Sequence, residues 1–340
     1  MAMYNVTGLS IAVIHNYEIE WAKGYGYADK EEGKPVTTET LFQAASISKS
    51  LNGVGVLKLA QDKKIALDAD VNTYLQSWKF PYKNKQEKIT VASLLDHSAG
   101  LTVHGFPGYM KGKKLPGPVE ILDGSGSAVN APVHSEISPG TKYQYSGGGT
   151  TISQVIVSDV SKQAYDEYMW ANVLQPLGMT NSFFSQEVPL TKLPMVATAY
   201  VDGKAVSGKY HLYPEQAAAG LWTNPTDLAK YVIETQLALK GSSEKVLNKE
   251  MTVKRLTPGI ANSGMGVFLE KKGDATYFYH SGVNEGFGAY YYGSLEDGNG
   301  VVIMINSGFC PLLYEVINSV AKVYQWKGFI ESEASASIAK

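Results

Sequence analysis

Ser46 and Lys49 stand three residues apart in Phe42-Gln43-Ala44-Ala45-Ser46-Ile47-Ser48-Lys49, where an extended segment gives way to a helix. Positions i and i+3 share one helix face, so the lysine amine can reach the serine hydroxyl and, once neutral, take its proton. That chemistry is nucleophilic attack on a carbonyl. The position adds a second resource, because the first amides of a helix lack partners within it and can donate to an anionic oxygen. The spacing alone also fits a serine that merely caps the helix. It recurs at Ser242/Lys245, Ser319/Lys322 and Ser337/Lys340. Only Ser46 precedes a run such as Leu51, Val54, Leu57 and Leu59, which reads as a helix buried on most sides, whereas Ser242 lies in a polar turn.

Two further groups can complete such a site. Tyr145, in Tyr143-Gln144-Tyr145-Ser146-Gly147-Gly148-Gly149, is followed by small residues at a helix start and can present its phenol to a cleft. A neighbouring Lys49 ammonium would favour its ionised form. By itself the tyrosine also fits an aromatic plug in a glycine-rich turn. In His280-Ser281-Gly282-Val283, read as strand, Gly282 leaves room for a substrate backbone. The Val283 amide would then face the Ser46 amide as the second donor of an oxyanion hole.

The elements that must position these groups follow from periodicity. Residues 7–15 and 18–28 read as strands joined at Asn16-Tyr17, and further strands are expected at 276–280, 286–293 and 301–306. An amphipathic helix carrying Leu312, Leu313, Val316, Ile317, Val320 and Val323 follows. Helices are expected at 90–97 and 150–170, and Asn224-Pro225-Thr226-Asp227 starts another. The Gly-, Pro- and Ser-rich stretch 104–140 reads as a long loop covering a site. The expected fold is α+β: an antiparallel sheet built from both chain termini and flanked by helices, with an inserted, mostly helical domain. Its division would be 1–70 with 215–340 for the sheet domain and 71–214 for the helical one.

Composition bounds the function. At 340 residues with 44% hydrophobic and 18% charged residues, the chain can bury a large core. A formal net charge of −2 and scattered lysines exclude a nucleic-acid surface. Nothing approaches the roughly 20 apolar residues of a membrane span. One cysteine, Cys310, excludes an intrachain disulfide, and no metal or cofactor motif is present. The abrupt start at Met1-Ala2-Met3-Tyr4 suggests a leader or first helix cut away; the compartment stays open, with an exported, periplasmic protein as the leaning.

Taken in order, Ser46-x-x-Lys49, Tyr145-Ser146-Gly147 and His280-Ser281-Gly282 resemble the motifs of the serine β-lactamase and penicillin-binding protein superfamily. The nearer likeness is to its class C branch, with its DD-peptidases, D-aminopeptidases and esterases. Leu94-Leu95-Asp96-His97-Ser98-Ala99-Gly100-Leu101, Pro176-Leu177-Gly178-Met179 and Ala219-Gly220-Leu221-Trp222 extend the resemblance over almost the whole chain. His97 is expected to hold a helix end and a loop and is not assigned to catalysis. Two departures stand out. Gly147 replaces the asparagine that contacts a substrate's acylamide, and His280, only partly charged at neutral pH, replaces a lysine that helps to hold a carboxylate. Glu244-Lys245-Val246-Leu247-Asn248 matches a class A signature but stands on a surface-like segment, so Tyr145 with Lys49 is expected to activate the deacylating water.

The resemblance implies acyl transfer through a covalent Ser46 intermediate on a small-molecule or peptide substrate. The carbonyl can belong to an ester, an amide or a β-lactam; ester or amide hydrolysis with residual β-lactam reactivity is the expectation. A class C-type β-lactamase, a D-alanyl-D-alanine peptidase and a penicillin-binding sensor with little turnover are the alternatives. The oligomeric state stays open.

Overall fold

Apolar side chains fill both alternating sets of positions in Gly-Leu-Ser-Ile-Ala-Val-Ile-His, so the strand they form, β1 (Gly8–His15), is buried on both faces. The structure, a computed structural model, describes residues 1–82 and 87–329; the Ser337/Lys340 pair lies outside them. Asn16 and Tyr17 take positive φ angles of 51° and 66°, the signature of a two-residue hairpin turn, and lead into β2 (Glu18–Asp29) and then β3 (Lys34–Pro35). The other half of the sheet comes from the far end of the chain: β4 (Ser263–Gly264), β5 (Val267–Lys272), β6 (Ala275–Asn284), β7 (Phe287–Ser294) and β8 (Gly300–Ile305). These eight strands run in the order β4-β5-β6-β7-β8-β1-β2-β3, and β1 closes the two halves by pairing Leu9 with Ile305 and Ile14 with Gly300.

The period of two along β1 serves two cores. Leu9, Ile11 and Val13 face Tyr277, Tyr290 and Tyr292 and the apolar stripe of α9 (Leu312–Val323). Ala12 and Ile14 face the larger core, which holds α1 (Ser48–Gln61) and α7 (Pro225–Lys240). The Asn224 side chain accepts from the Asp227 amide with Pro225 in the first turn, as the start signal requires. Between α1 and α7 lie α2 (Val91–Leu95), α3 (Pro118–Asp123), α4 (Gly147–Ser161), α5 (Tyr165–Met169) and α6 (Gln216–Ala219), and α8 (Lys249–Arg255) follows α7.

Three expectations change. The helix expected over 150–170 is two, because Lys162 turns left-handed at φ 61° and ends α4 before α5 begins. Strands β4 and β5 were not expected, since Glu270, Lys271 and Lys272 disguise a half-buried strand as a charged turn. The stretch 104–140 contains α3, started by Pro118 and Glu120. Among the described residues, no helix is long and apolar enough to cross a membrane.

Asn306, just past β8, ties the sheet to the insertion. It is fully buried, and its Nδ2 lies 3.0 Å from the Tyr27 carbonyl, 3.2 Å from that of Ala28 and 2.9 Å from that of Thr198. Asn306→Ala strips these carbonyls of their donor, and urea denaturation should register a loss of about 1–3 kcal/mol.

Candidate active site

Ser46 does not open a regular helix. It sits in a 3-10 turn, Ala45–Ile47, that leads directly into α1, and the residue before it, Ala45, is held at φ 50°. Alanine pays for that left-handed conformation in strain, which tight packing around a functional turn sustains. Ser46 is half-buried. The capping role open to it in sequence falls away, since Ile47 occupies the cap of α1 without a side-chain bond.

Lys49, on the first turn of α1, is buried, and its Nζ lies 3.1 Å from Ser46 Oγ and 2.7 Å from the Ala218 carbonyl on α6. Burial alone pushes its pKa from 10.5 down to about 7, because an ammonium that cannot reach water is costly. At neutral pH a large share of Lys49 is therefore free amine, able to donate to Ala218 and accept from the Ser46 hydroxyl. A carbonyl oxygen carries no residue-type signal, so nothing in the sequence marked Ala218 as the lysine's anchor.

Tyr145 approaches from the turn before α4. Its phenol hydrogen-bonds to Ser46, and Lys49 Nζ lies 4.9 Å from its ring centroid. Ser146 caps α4 by accepting from Gly149. Burial raises the Tyr145 pKa well above 10, outweighing the hydrogen bond with Ser46, so the group is a neutral phenol and not the phenolate that a charged Lys49 would favour. Two histidines flank it. The His97 ring centroid lies 4.4 Å from that of Tyr145, and the His280 centroid 6.4 Å.

His280 lies within β6, not partly charged as expected. It is buried, and burial together with the charge of Lys49 drives its pKa down to about 3. Its Nδ1 donates to the Ser281 carbonyl at 2.7 Å, leaving Nε2 unprotonated and without a partner. Gly282 meets the serine turn so closely that a Cβ would lie 2.1 Å from the Ala44 carbonyl and 3.0 Å from the Ser46 amide nitrogen. Val283 follows, 57% exposed, at the cleft. Beyond Tyr279, which pairs with Phe268, the outer edge of β6 has no strand beside it among the described residues. Gly147 is overlain by Phe106, whose Cε2 would stand 2.8 Å from a Cβ there.

Ser46, Lys49, Tyr145, Gly147 and the 280–283 segment are thus brought to one cleft. The other Ser-Lys pairs within the described residues are not: Ser242 and Lys245 are exposed, and Ser319, on the outside of α9, donates to the Glu315 carbonyl. Glu244 is exposed between α7 and α8. Among the described residues no group of His, Cys, Asp and Glu is placed to hold a metal ion.

Residues 1–311 match the family described as Beta-lactamase. The chain belongs to the beta-lactamase family. It is similar to Protein flp of Staphylococcus aureus (strain MRSA252), 24% identical over 322 residues, which span 93% of this chain and 63% of that protein. It is similar also to the putative penicillin-binding protein PbpX of Bacillus subtilis (strain 168), 24% identical over 284 residues, 81% of this chain and 64% of the relative. The chain therefore spans less than two thirds of the length of these relatives. A solved structure, the octameric penicillin-binding protein homologue from Pyrococcus abyssi, superposes with a TM-score of 0.81 at 27% identity, over 95% of this chain and 74% of that one. The site is low in polarity, with Gly147 under the Phe106 ring and His280 as a neutral imidazole.

The state of Lys49 sets a pH dependence. Below about pH 7 it is protonated and cannot take the serine proton; above it the amine is free. On a neutral ester, kcat/KM should fall about tenfold per pH unit below that point and level off above it. An acid limb near pH 10 would contradict the assignment of Lys49 as a neutral amine.

Proposed function

We propose that the protein is a serine hydrolase that cleaves neutral carboxylic esters, and related amides, through an acyl-enzyme on Ser46. The observation that carries this reading is the buried, half-neutral Lys49 amine 3.1 Å from Ser46 Oγ, with no carboxylate acting on it. In the first step Lys49 takes the hydroxyl proton as Ser46 Oγ attacks the carbonyl. The amides of Ser46 and Val283 receive the oxyanion, each such donor being worth on the order of 10²–10³ in rate. As the tetrahedral species collapses, the neutral Tyr145 phenol gives its proton to the leaving oxygen and is reprotonated from Lys49. Water then repeats the sequence on the acyl-enzyme, with the serine as leaving group.

The preference for neutral substrates rests on what lines the cleft. The chain has a single arginine, Arg255, and it is buried against Tyr231, Thr235 and the Ser50 carbonyl. The residue at the third motif, His280, is uncharged. A substrate carboxylate such as that of a penicillin or a D-alanyl-D-alanine terminus would leave water without a fixed counter-charge there, which is costly. Phe106 over Gly147 offers an apolar wall to an acyl chain in place of an amide. The β-lactamase and peptidase readings require that carboxylate to be held, and the penicillin-binding name of the Bacillus relative describes that protein.

Intact-mass measurement tests the reading. After exposure to a short-chain acyl ester the protein should turn over with no lasting adduct, a penicillin should leave at most a slow adduct, and a D-alanyl-D-alanine peptide should remain uncleaved. Ser46→Ala should abolish both turnover and adduct, and its retention of ester hydrolysis would refute the nucleophile.

A further inference from the structure

We infer that His97 is a positioning residue for the proton donor: it holds Tyr145 in the cleft by binding the backbone on both sides of it. This rests on the reading of Tyr145 as the group that protonates the leaving oxygen. His97 Nδ1 accepts from the Ser146 amide at 3.3 Å, and the His97 carbonyl accepts from the Gln144 amide at 2.8 Å. One residue thus binds the amides of Gln144 and Ser146, the residues on either side of Tyr145. Its ring lies against the phenol ring at 4.4 Å between centroids. To bring side chain and carbonyl to the same turn, the backbone of His97 takes φ 61°, a strained conformation for a non-glycine residue.

The chemistry requires histidine in one particular form. A backbone amide can only donate, so Nδ1 carries the lone pair and the proton sits on Nε2. A proton on Nδ1 would set two donors against each other and release Ser146. The groups that face the ring oppose such protonation. Burial does most to keep a positive charge off His97, Lys49 and His280 add to it, and the pKa falls well below 6.5. Tyr143 and Tyr145, the rings in contact, are both held neutral by burial. Asp96, on the same turn, is occupied by the Ser98 amide and hydroxyl.

The role is separable from general scaffolding. The covering loop is tied to this turn by other groups: the Gly140 amide donates to the Ser98 carbonyl, and the Glu136 and Ile137 amides donate to the Gly100 carbonyl. Those bonds use backbone atoms that survive removal of the imidazole. What the imidazole alone supplies is the acceptor for Ser146 and the face against the Tyr145 ring.

A proton donor matters most when the leaving group is a poor one, and this gives a readout that a merely structural role would not move. Two esters of the same acid serve as probes, a methyl ester and a p-nitrophenyl ester. His97→Ala should lower kcat/KM on the methyl ester by on the order of 10²-fold, the scale of a small misplacement of a catalytic group. Its loss on the p-nitrophenyl ester should be several times smaller. His97→Asn, whose Oδ1 can accept from Ser146, should recover most of the methyl-ester activity. Equal losses on the two esters, or no recovery with asparagine, would overturn the inference, and thermal melting of each variant separates either result from misfolding. Tyr145→Phe run alongside keeps the two claims apart. If it fails to discriminate between the esters, Tyr145 is not the donor; if it discriminates and His97→Ala does not, only the positioning role fails.

Discussion

A lysine amine buried without a carboxylate is the constraint on which the rest of the site depends. Water would keep Lys49 charged and useless as a base, and an aspartate beside it would do the same by attraction. The fold removes both. Helix α1 is buried from Ser48 through Leu57, which takes Lys49 out of solvent, and the partner that α6 supplies is a carbonyl oxygen. A carbonyl satisfies a donor without stabilising a full positive charge as strongly as an anion would. The remaining features of the cleft then follow from low polarity. Tyr145 stays a phenol, and His97 and His280 stay neutral imidazoles, because in this medium each ionised form would be expensive.

This is also where the sequence stops being informative. Residue types and spacing singled out Ser46, Lys49 and Tyr145, which the fold brings within contact, since a helical turn and a glycine-rich helix start are local features. Strands β1, β2 and β8 were legible from alternation and continuous apolar runs, and α9 from its stripe. Charge states were not legible. They depend on how much water reaches a side chain, and that is a property of distant segments: the His280 ring is neutral because β6 packs under Lys49 and the aromatic side chains of Tyr145 and Phe268. For the same reason the partly charged His280 expected from the sequence is found neutral, and of the two states open to the Lys49–Tyr145 pair burial favours the neutral amine over the phenolate. Strand β4 escaped notice because it is only two residues long, and β5 because it buries one face only, so its outer residues read as a charged turn.

The phrase 94–101 shows how a loop can be long and still ordered at its base. The carbonyls of His97, Ser98 and Gly100 receive amides from Gln144, Gly140 and from Glu136 with Ile137, and the Thr102 amide donates to His134. These cross-links pair the outgoing chain with the returning one in inverse order, like the start of a hairpin. The stretch between also reaches back to Tyr145, since His104 Nδ1 lies 2.5 Å from the Tyr145 carbonyl and Phe106 packs over Gly147.

Glu215 shows how far the exclusion of charge extends. It stands at the start of α6, one turn before the carbonyl that holds Lys49. It is fully buried, and neither carboxylate oxygen has a partner among the described residues. Burial lifts its pKa to about 8, so at neutral pH it is largely the uncharged acid. Were it ionised, an anion so near the lysine's anchor would draw the amine back towards ammonium, and the base would be lost. The same burial that lowers the Lys49 pKa raises that of Glu215, at the N-cap of α6, so both groups lean towards their neutral forms. The candidate site is thus a set of groups that burial holds neutral, and the uncharged ester proposed as its substrate would add no charge to that arrangement.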